Sequence, residues 1–256
     1  MVCKEIQNRL DKMYSEELNS DRLQEIFNEN AIIQKISAPH LLSIDDSYCK
    51  AKIKIMFVGK ETNKWWGKLD DFINTPNAID ILKQRYYAEF FGGKVPKAKN
   101  LSELVTYKSE NHWNNSFFVE YKKVRKELLN NVKGSLIWSN LLKMDLDNKK
   151  GYSKNSISNQ TIVDISKRIF QKELEILKPD FIIFATSYTY DNIIKYFLSE
   201  KIISSDVIEP KSLWKFKISD STTCYRTWHP ATIRYKAEKN KLEYYKMIIN
   251  DIKKSY

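Results

Sequence analysis

The chain has 256 residues, with 43 Lys and Arg against 32 Asp and Glu, a formal charge of +11 and a pI near 9.3. Its length and apolar content suit one globular unit with a real core, and its positive field draws in nucleic acid or an anionic membrane surface, an evenly spread basic surface being the plainer alternative. Cys3, Cys49 and Cys224 are odd in number and share no CxxC spacing, and no apolar run approaches the about 20 residues of a membrane span, so a disulfide framework, a metal cluster and a membrane protein are not signalled.

The polar start Met1-Val2-Cys3-Lys4-Glu5 lacks the apolar stretch of a signal peptide, so a soluble protein of the reducing cytoplasm is expected. From Ile6 to Phe27 the apolar residues recur at helical spacing with a break at Asn19-Ser20-Asp21, which predicts two helices ahead of the sheet. Ile53 to Val58 is short, rich in β-branched residues and stopped by Gly59, and reads as the first buried strand. Between Trp65 and Asn114, helical pieces such as Ile79 to Phe91 alternate with turn signals at Gly92-Gly93 and Pro96. Phe117 to Leu129 reads as a helix, Ser135 to Trp138 as a second strand ending at Ser139-Asn140, and Asp145 to Ser158 as an exposed loop. Ile162 to Leu177 is an amphipathic helix that stops before Pro179, Phe181 to Ala185 a strand, and another helix starts near Asp191. Leu213 to Ile218 and Cys224 to Trp228 are expected as the last strands and Tyr235 to Ile252 as a closing helix. This alternation predicts an α/β fold: three layers, α/β/α, around a central mainly parallel sheet. Residues 1–50 read as an N-terminal helical extension and 51–256 as the α/β core of a single domain.

With the strands so placed, Gly59 to Asn63, Ser139-Asn140, Thr186-Ser187 and His229 to Ile233 all fall at strand ends, where open α/β sheets build their sites. They supply a carboxylate, a carboxamide, two hydroxyls and an imidazole. Each has a plainer reading: Glu61 as a carboxylate favoured at a helix N-terminus, Asn140 as a turn cap, His229 as a turn histidine bonded to backbone.

The pattern resembles the uracil-DNA glycosylase superfamily. The residues that carry the likeness are Gly59-Lys60-Glu61-Thr62-Asn63, Trp138-Ser139-Asn140, Leu177-Lys178-Pro179-Asp180 leading into a strand, and His229-Pro230-Ala231, in order over Lys52 to Tyr235. The chain departs from that family in carrying Glu61 where many relatives have Asp or Asn, in lacking the Pro-Tyr-His continuation, and in lacking the four cysteines of the iron–sulfur branches. The N-terminal helices and the stretch from Trp65 to Asn114 have no counterpart.

The resemblance implies a uracil-DNA glycosylase-like fold and a monofunctional, cofactor-free and metal-free enzyme that acts on DNA as a monomer. Breaking a base–sugar bond builds positive charge on the sugar and negative charge on the base, so a carboxylate and a hydrogen-bond donor are wanted. Glu61 would polarise the water and His229 would donate to the departing base. Asn140, with Gly59 and Asn63, would bind the extruded base. Lys60, Lys64, Thr186, Ser187 and Arg234 would contact DNA, as would Lys68 and Arg226. Ile233, four residues after His229, would be the wedge, and Trp65, Trp66, Phe90 or Phe91 the stacking ring. The substrate would be uracil or a modified pyrimidine, including glucosylated hydroxymethylcytosine of phage DNA removed as antiviral defence. Rival readings are a metal-dependent nuclease using Glu61 and Asp180, and a non-catalytic nucleic-acid binder.

Overall fold

The computed structural model describes residues 2–27, 30–62, 65–98, 100, 102–110, 114–146, 154–233 and 239–256. In chain order the elements are α1 (Val2–Glu17), α2 (Ser20–Ile26), α3 (Asn30–Ile33), α4 (Asp46–Cys49), β1 (Ile55–Gly59), α5 (Leu69–Ile73) and α6 (Ala78–Phe91). There follow β2 (Gly93–Pro96), β3 (Leu104–Tyr107), α7 (Ser116–Leu128), β4 (Leu136–Asn140), α8 (Lys154–Ser158), α9 (Gln160–Leu177) and β5 (Phe181–Phe184). The chain closes with α10 (Asp191–Leu198), β6 (Ser204–Glu209), β7 (Leu213–Lys217), β8 (Thr223–Arg226) and α11 (Lys241–Lys253). It divides into a helical unit (Met1–Ile44, Lys60–His112, Asn140–Leu177) and a sheet unit (Asp45–Gly59, Trp113–Ser139, Lys178–Tyr256). No helix among the described residues is long and apolar enough to cross a membrane.

The sheet unit is built on a six-stranded sheet of order β4-β1-β5-β8-β7-β6. β1, β5 and β8 run parallel, Ile55 opposite Phe181 and Phe181 opposite Thr223, whereas β7 and β6 are antiparallel. Side chains alternate across a strand, so register assigns each to a face. Phe57 meets Tyr121 of α7 at 5.8 Å edge-on and Tyr245 of α11 at 6.2 Å, and Tyr225 donates to Asp251 of α11 at 2.7 Å. On the other face Phe184, Phe216 and Trp214 stack in sequence, and Lys195 of α10 lies over Trp214. Helices thus cover both faces of this sheet, as the βα alternation requires.

In the helical unit α1 packs on α9. Tyr14 donates to Glu173 at 2.8 Å, the fully buried Lys143 ammonium lies 2.6 Å from the same carboxylate, and Arg168 and Lys172 hold Glu17 at 2.9 and 2.7 Å. The β2–β3 hairpin is fastened to α6 through Arg85, which lies 2.6 Å from Glu89 and packs against the rings of Tyr107 and Trp66 at 3.4 and 4.0 Å. Residues 1–44 belong to this unit's core, with Leu10, Tyr14 and Leu23 fully buried.

Several expectations are corrected. The region expected as a loop contains α8, the stretch after Phe91 contains a hairpin, and β6 is an edge strand that the pattern did not announce. The closing helix starts at Lys241; Tyr235 to Glu238 lie outside the described residues. Cys224 is a free, buried thiol. Arg226, expected at phosphate, is 2% exposed: its guanidinium donates to Asp191 and to the Lys211 carbonyl, each at 2.8 Å. As the last residue of an interior strand it points into the layer under α10 rather than into solvent.

Burial pushes the Asp191 carboxyl up, with Arg226 opposing. Arg226→Ala leaves that half-buried carboxylate without its guanidinium partner, and is expected to destabilise the fold by about 1–3 kcal/mol at neutral pH. A carboxyl raised above its unfolded value loses stability as pH rises, so the deficit should shrink on acidification. Urea unfolding at pH 7 and pH 5 checks both; a deficit that grows on acidification refutes the account.

Candidate active site

Because β1, β5 and β8 are parallel, Gly59, Thr186-Ser187 and Thr227 to Pro230 leave the sheet at the same edge. The ladder continues past the strands: Ala185 N–H donates to the Val58 carbonyl at 2.8 Å, Thr227 N–H to Phe184 at 2.9 Å, and Ser187 N–H to Thr227 at 2.9 Å. Two strand spacings separate the ends of β1 and β8, about 9–10 Å. β1 lies between β4 and β5, so the connections diverge beside it, the place where open α/β sheets bind ligands.

His229 sits in a turn at this edge. Its backbone N–H donates to Ser187 Oγ at 2.8 Å, its carbonyl accepts from Thr232 N–H at 2.9 Å, and its Nδ1 accepts from Ala231 N–H at 3.2 Å. An imidazole whose Nδ1 accepts carries its proton on Nε2, so this contact favours the tautomer whose donor is Nε2–H. Phe117, in the first turn of α7, stacks on the imidazole at 5.6 Å and 22°. Phe117 is itself held by Phe57 and Trp138, at 5.1 and 6.3 Å. Tyr245 of α11 donates to the Trp228 carbonyl at 2.6 Å and Lys241 to the Thr232 carbonyl at 2.5 Å, fixing both sides of the turn.

Ser187 has φ 65 and ψ 162, a backbone conformation that glycine adopts freely and other residues at a cost of about 1–3 kcal/mol. The strained backbone brings its hydroxyl to the His229 N–H and within 3.3 Å of the Thr232 hydroxyl. Next to it, Thr186 and Thr227 are fully buried, and neither Oγ1 has a hydrogen-bond partner among the described residues. An unsatisfied buried hydroxyl costs about 1–3 kcal/mol, and two beside one strained residue mark an edge built around a polar partner.

Lys60, Glu61 and Asn140 belong to the helical unit. Lys60 and Glu61 follow Gly59 directly, and Glu61 is 8% exposed. The Lys60 carbonyl accepts from Leu142 N–H at 2.9 Å, which ties this loop to the segment starting at the buried Asn140. Thr62 extends the tie, bonding Ser37 Oγ at 2.8 Å and the Asp145 carboxylate. Burial pushes the Lys60 ammonium down, with Glu61 opposing.

The structure therefore brings Gly59, Thr186, Ser187 and His229 to one edge of the sheet unit, and the Lys60–Glu61 and Asn140 loops together in the helical unit. Ile233 is 91% exposed. Asn63, Lys64 and Arg234 lie outside the described residues. Thr186 and Ser187, expected at DNA, are buried, and Ser187 spends its hydroxyl on the His229 loop. Trp65 and Phe90 are core residues, and Trp66 covers Arg85. Asp180, the nuclease reading's second carboxylate, accepts from Lys54 N–H at 2.7 Å at the N-terminal ends of β5 and β1, the edge opposite Gly59. Phe117 and the Ser187 backbone were not foreseen: an aromatic at a helix start looks like core, and a serine gives no sign of positive φ. No family model matches the chain, and no curated protein is similar to it.

Ser187→Gly removes the strain together with a hydrogen bond worth about 1 kcal/mol, so its stability should change little or rise. Ser187→Ala keeps the strain and loses the bond, and should cost about 1–2 kcal/mol. Chemical denaturation of the two variants separates these effects; a less stable glycine variant would show that Ser187 is not strained.

Proposed function

We propose that the chain is a DNA N-glycosylase of the uracil-DNA glycosylase kind, hydrolysing the base–sugar bond of an extruded pyrimidine to leave an abasic site. The observation that carries this reading is His229, whose backbone N–H is clamped by Ser187, whose Nδ1 accepts from Ala231 N–H and whose ring is stacked on Phe117, at the C-terminal edge of the parallel strands. A fixed N–H donor stabilises the negative charge that appears on a departing base without reorganising during the reaction. Phe117 supplies the aromatic face beside it, and the exposed Ile233 the apolar wedge. Glu61 takes the water-polarising role on its sequence position, second after the glycine that ends β1, and Asn140 the base-reading role on its position at the end of β4. The +11 charge suits a DNA partner, and the reading extends to a cytoplasmic monomer with a uracil-DNA glycosylase-like fold.

The imidazole also bears on the substrate. A uracil anion departs with hydrogen-bond help alone, whereas a cytosine, glucosylated or not, must be protonated. Forming the imidazolium would give up the Ala231 N–H to Nδ1 contact, so the turn as built favours a uracil-like leaving group.

The test is a panel of single- and double-stranded DNAs, each with one altered base, incubated in EDTA and then cleaved with alkali at abasic sites. Strand cleavage with uracil or a related base is expected. His229→Ala and Glu61→Gln should each lower the rate by about 10²–10⁴-fold while DNA binding persists. A panel that includes glucosylated hydroxymethylcytosine and stays intact throughout sinks the proposal.

A further inference from the structure

A cleft of about 500 Å³ opens within the helical unit, lined among others by Asp80, Lys83, Gln84 and Tyr87 of α6 and by Gly93 and Lys94 at the start of β2. Positions 80, 83, 84 and 87 share one face of the helix, so the cleft is a helix face roofed by a hairpin. Its volume lies in the range of small-molecule sites.

Three chemistries meet there. Tyr87 is 43% exposed, yet its ring is braced by Phe91 at 4.5 Å and 31°, which makes it a supported flat platform. Asp80 is 65% exposed at its side chain, and its ion-pair partner Lys83 is shared at 3.1 Å with Asp80 and 2.7 Å with Asp11. One lysine between two carboxylates leaves this wall with acceptor capacity and net negative charge. Lys94 is exposed and has no ion-pair partner among the described residues. Beside it a Cβ on Gly93 would meet nothing within 4 Å, so the backbone leaves room for a ligand to approach.

We propose that this cleft binds a nucleotide whose base carries an exocyclic amino group, as a free mononucleotide or as one unit of a strand. The base stacks on Tyr87, the amino group donates to Asp80, and Lys94 takes the phosphate. A carboxylate facing the exocyclic position accepts from an amino group there and repels the carbonyl that uracil carries in its place, so the site discriminates by that group. The cleft lies in the helical unit, shares no residue with the His229 site, and the binding needs no base excision.

The experiment is isothermal titration of the full chain with CMP, AMP and UMP, and with oligo-dC and oligo-dT, alongside Tyr87→Ala, Tyr87→Phe, Lys94→Ala and Asp80→Ala variants whose folding is verified by circular dichroism. CMP and AMP should bind at least about fivefold tighter than UMP. Tyr87→Ala should weaken binding by about tenfold or more and Tyr87→Phe should restore it. Lys94→Ala should flatten the salt dependence, and Asp80→Ala should erase the preference for CMP over UMP. Binding of oligo-dC without CMP, still abolished by Tyr87→Ala, identifies a strand as the source. Absence of binding by every probe at millimolar concentration overturns the proposal, as does binding that Tyr87→Ala leaves unchanged. Because the readout is binding of unmodified nucleotides, its failure leaves the glycosylase reading standing, and the converse holds.

Discussion

The parallel pairing of β1, β5 and β8 is the constraint on which the site depends. Register fixes more than the sheet, because the ladder runs on through Ala185, Thr227 and Ser187 and so decides where three loops start. Satisfying the Ser187 N–H from the Thr227 carbonyl turns that backbone into positive φ, which a serine resists. The rest of the fold overdetermines the position. Phe184 and Ile183 are buried behind it, and the turn after β8 is held by Tyr245 and Lys241. A chain free to relax would place the serine hydroxyl elsewhere, and the His229 N–H would lose its acceptor.

Charge is distributed by the same logic of burial. Lys143, Arg85 and Arg226 lie inside only because Glu173, Glu89 and Asp191 lie against them. Burial moves both partners of the last pair toward their neutral forms, which is the signature of desolvated rather than solvated ions. Among the described residues the buried acids Glu17, Glu61, Glu89, Glu110, Glu120, Asp145 and Glu173 outnumber the buried bases Arg85, Arg125, Lys143 and Arg226. The outer surface is therefore more basic than the composition of the whole chain suggests. This strengthens the electrostatic argument for an anionic partner.

What could be read from the sequence follows from how each element is buried. β1, β4 and β5 are covered on both faces and appear as short apolar runs; α7 and α9 carry a 3.6-residue period because one side of each is packed. β6 escaped notice because it is an exposed edge strand, and β3 because four residues of alternating half-exposure carry too little signal. Arg226 was misread since a basic residue near a candidate site resembles a phosphate contact, and only its register, opposite Phe184, shows that it faces inward. His229 was legible because His-Pro just past a strand must turn. The Asp80–Tyr87 face was not, because a polar helix face is indistinguishable from a solvated one until a hairpin closes over it.

The same geometry explains why Ser187 and not glycine stands where glycine would be easier. Glycine would supply the backbone conformation without strain, but it has no hydroxyl for the His229 N–H, and the turn that carries the imidazole would lose that anchor. A donor that must meet charge at one place in space gains from being fixed beforehand, since any reorganisation during the reaction is added to the barrier. On the glycosylase reading we propose, the strain of about 1–3 kcal/mol at one residue is small beside the few kcal/mol that a preorganised donor contributes at a transition state. The buried hydroxyls of Thr186 and Thr227 carry the same sign: an edge optimised for stability alone would have satisfied them or replaced them with valine.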